Sequence, residues 1–263
     1  MVNYRKHGKQ PYEIITLHGG PGALGELKYL SQKIGKKYGV IEYLQTKDSI
    51  ELLLKDINKI ITENARVPVK VVGFSWGAWL AVFFAEQYPE LVKSLILISS
   101  GPFEKKYSKN IQKNRFDRMD EKEKNLFKEV EQKFSEGKNV KLKQLNSFVD
   151  LMHKVDAYQY KEINNNATNF QIDLYKKIWS EAAQLRKNNK LMKSLSKIDC
   201  PIKVIHGDYD PHPFQGVKEP LDKLDKDYQF ELIKNCGHTP WKEKKAASDF
   251  YDTLFNFLQS NLK

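Results

Sequence analysis

Val69-Lys70-Val71-Val72-Gly73-Phe74-Ser75-Trp76-Gly77 carries a Val-rich run into a G-x-S-x-G pentapeptide, and a helix-like run follows from Ala78. This order predicts a strand, a sharp turn and a helix, with the serine on the turn. A serine so placed is lifted out of the sheet, with its hydroxyl exposed and the next backbone N–H beside it. Gly73 and Gly77 have a steric role, because the turn brings strand and helix too close for a Cβ at either position. Ser75 is therefore a candidate nucleophile toward a carbonyl carbon. That chemistry demands a base, an acid to orient it and donors for the oxyanion.

Outward from this stretch, short Val- and Ile-rich runs occur at Tyr12–Leu17, Gly39–Leu44, Val69–Phe74, Ser94–Ser99, Ile202–His206 and Tyr228–Ile233. They are nearly continuous rather than alternating, as strands buried on both faces of a parallel sheet are. Helical periodicity separates them at about Gly25–Lys37, Ile50–Asn64, Ala78–Tyr88 and Lys242–Leu262. Pro89 reads as a stop signal, and Thr239-Pro240 as an N-cap followed by proline at the first helical position. The alternation predicts an α/β domain with a mostly parallel sheet of about six strands flanked by helices.

Phe103–Leu195 breaks the rhythm. It holds no buried-strand pattern but has amphipathic stretches at Glu121–Ser135, Leu142–Met152 and Ile172–Leu185, and Asn164-Asn165-Asn166 suggests a turn. It is too long and too patterned for a loop. The expected organisation is a core of residues 1–101 and 199–263 with a helical insertion over 102–198.

The chain has 263 residues, 40% hydrophobic and 12% aromatic, enough for a sizeable core and unlike a disordered chain. No apolar stretch approaches the roughly 20 residues that cross a bilayer. Met1–His7 has basic residues without a following apolar region, and Cys200 and Cys236 are the only cysteines. Both point to a cytoplasmic setting, with no secretory leader, no membrane span and no disulfide framework. Of the net charge of +11, +9 falls in residues 102–198, spread as Lys-Glu mixtures such as Asp120-Glu121-Lys122-Glu123-Lys124. A solvated helical surface explains it better than a nucleic-acid site, which calls for a dense basic block or an aromatic-interleaved stripe.

Three loops answer the demand made by Ser75. His18-Gly19-Gly20-Pro21-Gly22 follows the first apolar run. Its glycines would let backbone N–H groups approach a ligand, and the amides of Gly20 and Trp76 are the candidate oxyanion donors by motif position. His206-Gly207-Asp208-Tyr209-Asp210-Pro211-His212-Pro213 places two carboxylates after the fifth run. Asp210, further from the strand and held by Pro211, is the candidate acid, and Asp208 is read as structuring the loop. The alternation of His206, Asp208, Asp210 and His212 also suggests a metal set, but Pro211 and Pro213 disfavour a continuous strand there and no second cluster completes it. No metal or other cofactor is expected. His238, in Gly237-His238-Thr239-Pro240-Trp241, is the candidate base. Cys236 lies two residues away, but no elbow surrounds it, and a small buried apolar role suits it better.

The order Ser75, Asp210, His238, each just after a strand, resembles that of the α/β-hydrolase superfamily. His18-Gly19-Gly20-Pro21-Gly22 paired with Gly73-Phe74-Ser75-Trp76-Gly77 is similar to the proline-iminopeptidase-like branch. The resemblance covers nearly the whole chain. It implies that Ser75 is the nucleophile, His238 the base and Asp210 the acid, and that the insertion is a helical cap over the site. Two features depart from that branch. Eleven residues precede Tyr12, so the usual leading β-hairpin is expected to be missing, and Tyr43-Leu44-Gln45-Thr46-Lys47-Asp48 stands where an Asp-Gln-Arg-Gly-like loop is usual.

The expected activity is hydrolysis of an ester or related acyl bond of a small substrate through an acyl-enzyme. The alternatives are an aminopeptidase acting on short peptides, or a non-catalytic binding protein on the same fold. Gly19, Phe103 and Trp179 are candidate substrate-binding residues. Phe116, Phe148, Met152, Tyr160 and Phe170 are further apolar cap residues, most of which should simply pack. An aminopeptidase needs a cap carboxylate for the substrate ammonium, and Glu104, Asp150, Asp156 and Glu181 are the candidates.

Overall fold

The computed structural model describes residues 3–136, 138, 140–162 and 169–260. Asn164-Asn165-Asn166, read from the sequence as a turn, lies outside them. Seven strands form the main sheet: Tyr4–His7 (β1), Tyr12–Leu17 (β2), Gly39–Tyr43 (β3), Val69–Phe74 (β4), Val92–Ile98 (β5), Ile202–Gly207 (β6) and Tyr228–Ile233 (β7). Their order is β1-β3-β2-β4-β5-β6-β7. All neighbours are parallel except β1 and β3, which run antiparallel.

The continuous apolar runs are explained by period two on a sheet covered on both faces. Ile15, Leu17, Val69, Val71, Leu95, Leu97, Ile202 and Val204 belong to one buried cluster. Ile14, Val72, Phe74, Ile96, Ile98, Ile205 and Ile233 belong to the other. Helices Lys28–Ile34 (α1), Ile50–Asn64 (α2) and Trp76–Gln87 (α3) connect β2, β3, β4 and β5 in turn. In α2 the buried residues Ile50, Leu53, Leu54, Ile57, Ile60 and Ile61 fall at helical spacing, and Ser49 caps the first turn through the N–H of Leu52. Ten of the twelve residues of α3 are buried, because the helix is enclosed by the sheet, α2 and a helix of the insertion.

After β5 the chain forms Ile111–Phe116 (α4), Glu121–Ser135 (α5), Leu142–Val155 (α6), Ile172–Lys187 (α7) and Lys190–Ser196 (α8). Asp120 and Glu123 close a capping box at the start of α5. Met119, Phe127, Leu151 and Val155, with Phe116, Phe148 and Met152 against them, make a small core of their own. Phe103, Leu174, Ile178, Ala182, Leu191, Met192 and Leu195 instead join the sheet-side cluster. A two-residue ladder pairs Asn169–Phe170 with Ala23–Leu24, and the N–H of Gln171 donates to the carbonyl of Gly22 at 2.9 Å. The chain ends with Gln215–Lys223 (α9) and Ala247–Gln259 (α10). The buried ammonium of Lys203 on β6 donates to the carbonyl of Phe257 at 2.9 Å, a cation at the C-terminal turn of α10. Among the described residues no helix is long and apolar enough to cross a membrane.

The expected mostly parallel sheet is present with one further edge strand, and one helix boundary is corrected. The sheet has a seventh strand, because Tyr4–His7 adds antiparallel to β3, with no β1–β2 hairpin. Its sequence, Tyr-Arg-Lys-His, hides an edge strand that answers a charge rather than an apolar face: Arg5 and His7 reach the buried carboxylate of Glu42 at 3.3 and 2.8 Å. The last helix starts at Ala247, not Lys242. Pro240–Lys242 is a single 3-10 turn, and Glu243 is extended. Residues 242–244 are held flat by the insertion, through Lys161 N to Lys242 O at 2.7 Å and Lys244 N to Gln159 O at 2.9 Å.

Candidate active site

Ser75 sits between β4 and α3 with φ 52° and ψ −115°, a region L-residues avoid unless the surrounding structure imposes it. Its own N–H donates to the carbonyl of Ile98 at 2.9 Å, fixing the turn to β5. The two glycines are required by close approach. A Cβ on Gly73 would lie 2.4 Å from the Gly77 carbonyl oxygen, and one on Gly77 would lie 2.1 Å from that of Leu17.

Ser75 Oγ lies 3.1 Å from Nε2 of His238, and Nδ1 of His238 lies 2.7 Å from Oδ2 of Asp210. A carboxylate only accepts, so His238 carries its hydrogen on Nδ1 and offers the lone pair of Nε2 to the serine O–H. The Asp210 side chain is fully buried, and His238 is 12% exposed. Burial alone would lower the pKa of His238, but the charge of Asp210 and its hydrogen bond outweigh it and hold the imidazole above its ordinary value. Burial likewise would raise Asp210, yet the charge of His238 and the hydrogen bonds from His212 and His238 keep it well below the usual carboxylate range. A hydroxyl that can pass its proton to an imidazole held by a buried carboxylate is competent to attack an acyl carbon.

Asp208 points away from this centre. It is exposed, with Oδ1 3.4 Å from the backbone N of Cys236 and Oδ2 3.6 Å from Lys234 Nζ. The alternating His-Asp set of the sequence therefore does not converge as a strand face. After Gly207 the chain turns, and Asp210 doubles back onto His206, His212 and His238. Asp210, His212 and His238 could bring three ligand atoms together. Both oxygens of Asp210 are already taken by the imidazole N–H groups. Cys236 is buried, and burial pushes its thiol up, away from the thiolate a nucleophile needs.

Of the expected oxyanion donors, Trp76 opens α3 beside Ser75, and Gly20 lies in the loop after β2 with space about its Cα. A residue the motifs did not single out ties these two elements together. Gln45 donates from Nε2 to the carbonyl of His18 at 2.8 Å and accepts at Oε1 from the indole N–H of Trp76 at 2.8 Å. Its backbone N–H donates to His18 Nε2 at 3.2 Å. That bond makes His18 Nε2 the acceptor, so Nδ1 carries the hydrogen and donates to the carbonyl of Gly19 at 3.1 Å. Burial pushes His18 down to about 4, in keeping with a neutral ring. The only signal of Gln45 in the sequence is its place in the stretch that replaces the Asp-Gln-Arg-Gly-like loop.

Glu243 was equally hidden, inside the charged run Lys242-Glu243-Lys244-Lys245. It is 1% exposed and accepts three backbone N–H bonds: from Gly237 at 2.8 Å, Tyr158 at 2.8 Å and Gln159 at 2.7 Å. The loop before His238 is thus fastened to the segment after α6.

The expected substrate contacts are placed unevenly. Gly19 is buried against Phe74 and Glu26. Phe103 is fully buried in the sheet-side cluster. Trp179 is 38% exposed and stacks between Tyr175 and Trp79, with centroids 6.2 and 6.0 Å away. Of the carboxylates considered for an ammonium, Glu181 accepts from the N–H of Ile50 at 2.9 Å. Asp156 is held by both arms of Arg115 at 2.7 and 2.6 Å, Glu104 pairs with Lys106 and Lys223, and Asp150 is exposed.

Comparison with known proteins agrees with this architecture. A 94-residue stretch is 33% identical to an uncharacterized protein of Synechocystis sp., spanning 34% of this chain and only 38% of that protein. The monoacylglycerol lipase abhd6-B of Xenopus laevis is 23% identical, over 95% of this chain and 77% of its own. The crystal structure of a putative lipase from Acinetobacter baumannii superposes with a TM-score of 0.68 at 18% identity, over 96% of this chain and 87% of that one. The profile of the alpha/beta hydrolase fold matches residues 14–244. With its parallel sheet, its strand order and that match, the chain belongs to the α/β-hydrolase family.

Proposed function

We propose that the chain is a serine hydrolase that cleaves an ester or related acyl bond of a small, partly apolar substrate. The observation that carries this reading is the line Ser75 Oγ, His238 Nε2, His238 Nδ1, Asp210 Oδ2, with contacts of 3.1 and 2.7 Å. Ser75 Oγ bonds to the acyl carbon while its proton passes to His238 Nε2, and the carbonyl electrons move onto an oxyanion held by the amides of Gly20 and Trp76. As the tetrahedral adduct collapses, the bond to the leaving group breaks and that group takes the proton from His238. Water then gives a proton to His238, attacks the acyl carbon and releases the acid, and Ser75 recovers its proton. Asp210 stays ionised and stabilises the imidazolium.

In this reading residues 102–198 are the cap, and Tyr175 and Trp179 supply an apolar wall. An ester fits better than a peptide amine, because three of the four cap carboxylates considered for an ammonium are engaged elsewhere. The names of two relatives, a monoacylglycerol lipase and a putative lipase, point the same way. Turnover of p-nitrophenyl esters of graded chain length, set against aminoacyl anilides, tests the proposal. Ester hydrolysis that disappears in Ser75→Ala is the expected result. Anilide hydrolysis without ester hydrolysis would replace the esterase reading by the aminopeptidase one.

A further inference from the structure

The carboxylate of Asp210 is shared between two imidazoles. Oδ1 accepts from the backbone N–H of His212 at 2.9 Å and from its ring Nδ1 at 2.8 Å, while Oδ2 faces Nδ1 of His238 at 2.7 Å. Since the carboxylate only accepts, both rings are protonated at Nδ1. The rings of His212 and His238 are in contact, 4.3 Å between centroids and tilted by 30°. Behind them, His206 Nε2 is 2.9 Å from the carbonyl oxygen of His212, which can only accept, and 3.4 Å from Asp210 Oδ2. His206 thereby fixes the backbone of His212, and both the His206 and Asp210 side chains are fully buried.

We propose that His212 is a positioning residue for the proton relay. It occupies one oxygen of Asp210, leaves the other to His238, and holds the His238 imidazole in line with Ser75 by the face of its own ring. The proposal rests on the catalytic reading of Ser75, His238 and Asp210 given above. His212 stays neutral because burial, then the charge of His238, push it down to about 4. The positive charge formed on His238 during proton transfer therefore meets a neutral ring rather than a second cation. Besides Ser75, Asp210 and His212, the groups that face His238 are Asp156 at the end of α6, Arg115 on α4, Glu26 before α1 and His206 on β6. All of these are retained when His212 alone is changed.

Loss of the His212 Nδ1–H leaves more of the Asp210 charge to stabilise the His238 imidazolium. The test is the pH dependence of Ser75 modification by a fluorophosphonate probe, measured on the full chain and on two variants. In His212→Phe, which keeps a ring and loses the donor, the acid limb of the rate should move to higher pH by about half a unit or more. In His212→Asn, whose amide nitrogen can take the place of Nδ1, the limb should stay with the native one while the rate falls for want of the ring. If His212→Phe does not fold, His212→Ala, which also lacks the donor, carries the same expectation. Coincident limbs in the native protein and the donor-less variant overturn the proposal, whatever the loss in rate. Absence of labelling in the native protein counts instead against the Ser75 reading itself.

Discussion

The backbone N–H of His238 donates to the carbonyl of Asp156 at 2.7 Å, so the loop that carries the histidine is bonded directly to the end of α6. The Asp156 carboxylate is held in turn by Arg115, and both charges reach His238, Asp156 raising its pKa and Arg115 opposing it. The insertion is therefore part of the electrostatic surroundings of the imidazole.

Glu243 makes the same join from the other side. Glu243→Ala removes the acceptor of three backbone N–H groups, and each buried donor left unpaired carries a desolvation cost. We expect a loss of about 2–4 kcal/mol in urea unfolding, with Glu243→Gln losing less because one carbonyl oxygen remains. Equal stability of Glu243→Ala and the native protein would show that the three bonds are not maintained in solution.

Gln45 links the elbow to the loop after β2 through the Trp76 indole and the His18 carbonyl. Gln45→Leu should slow Ser75 labelling about ten- to a hundredfold through misplacement of the Gly20 and Trp76 amides proposed to hold the oxyanion. Its acid limb should not move, because no group facing His238 is altered. A shifted limb with an unchanged plateau would place Gln45 in the proton relay instead.

Stability should fall on mild acidification. Burial lowers His18 and His153 from 6.5 to about 4. Between those values the unfolded chain binds protons that the native one does not, so stability declines as pH falls through that window, by an order of 2–3 kcal/mol for each histidine. His238 acts oppositely: its raised pKa contributes stability below 6.5 that is lost as pH rises through the folded value. Asp210, held low, contributes above 3.8 and loses that contribution only as pH falls further. Urea midpoints should therefore drop between pH 7 and pH 4.5, and less so in His153→Gln. A flat profile in the native protein contradicts the burial of these rings.

How far the sequence revealed this molecule depended on whether the signal was local. The bounds of β2, β4, β7 and α2 were readable to the residue, because burial on both faces in β2 and β4, the apolar-polar alternation of β7, and Ser49 with a helical stripe in α2 each leave a mark within a few positions. That Ser75, Asp210 and His238 stand at strand ends was readable locally, and the structure brings their side chains within hydrogen-bond reach. β1 was not, since His7 and Arg5 answer Glu42, 35 and 37 residues away. Gln45 and Glu243 escaped for the same reason: their partners lie on other segments, and nothing next to them in the chain announces those bonds. His212 stood out only as one of an alternating His-Asp set, whereas the turn after Gly207 puts it on Asp210, two residues away. The start of α10 was misread because the pull of residues 159–161 on 242–244 is likewise long-range.

The central claim is that Ser75 is a nucleophile activated by His238. Mass mapping of the chain after reaction with a fluorophosphonate tests it most directly, with the native protein compared with Ser75→Ala and His238→Ala. A single adduct on the peptide containing Ser75, absent in Ser75→Ala and formed orders of magnitude more slowly in His238→Ala, is the predicted result. An unmodified native protein, or an adduct that forms equally fast without His238, would contradict it.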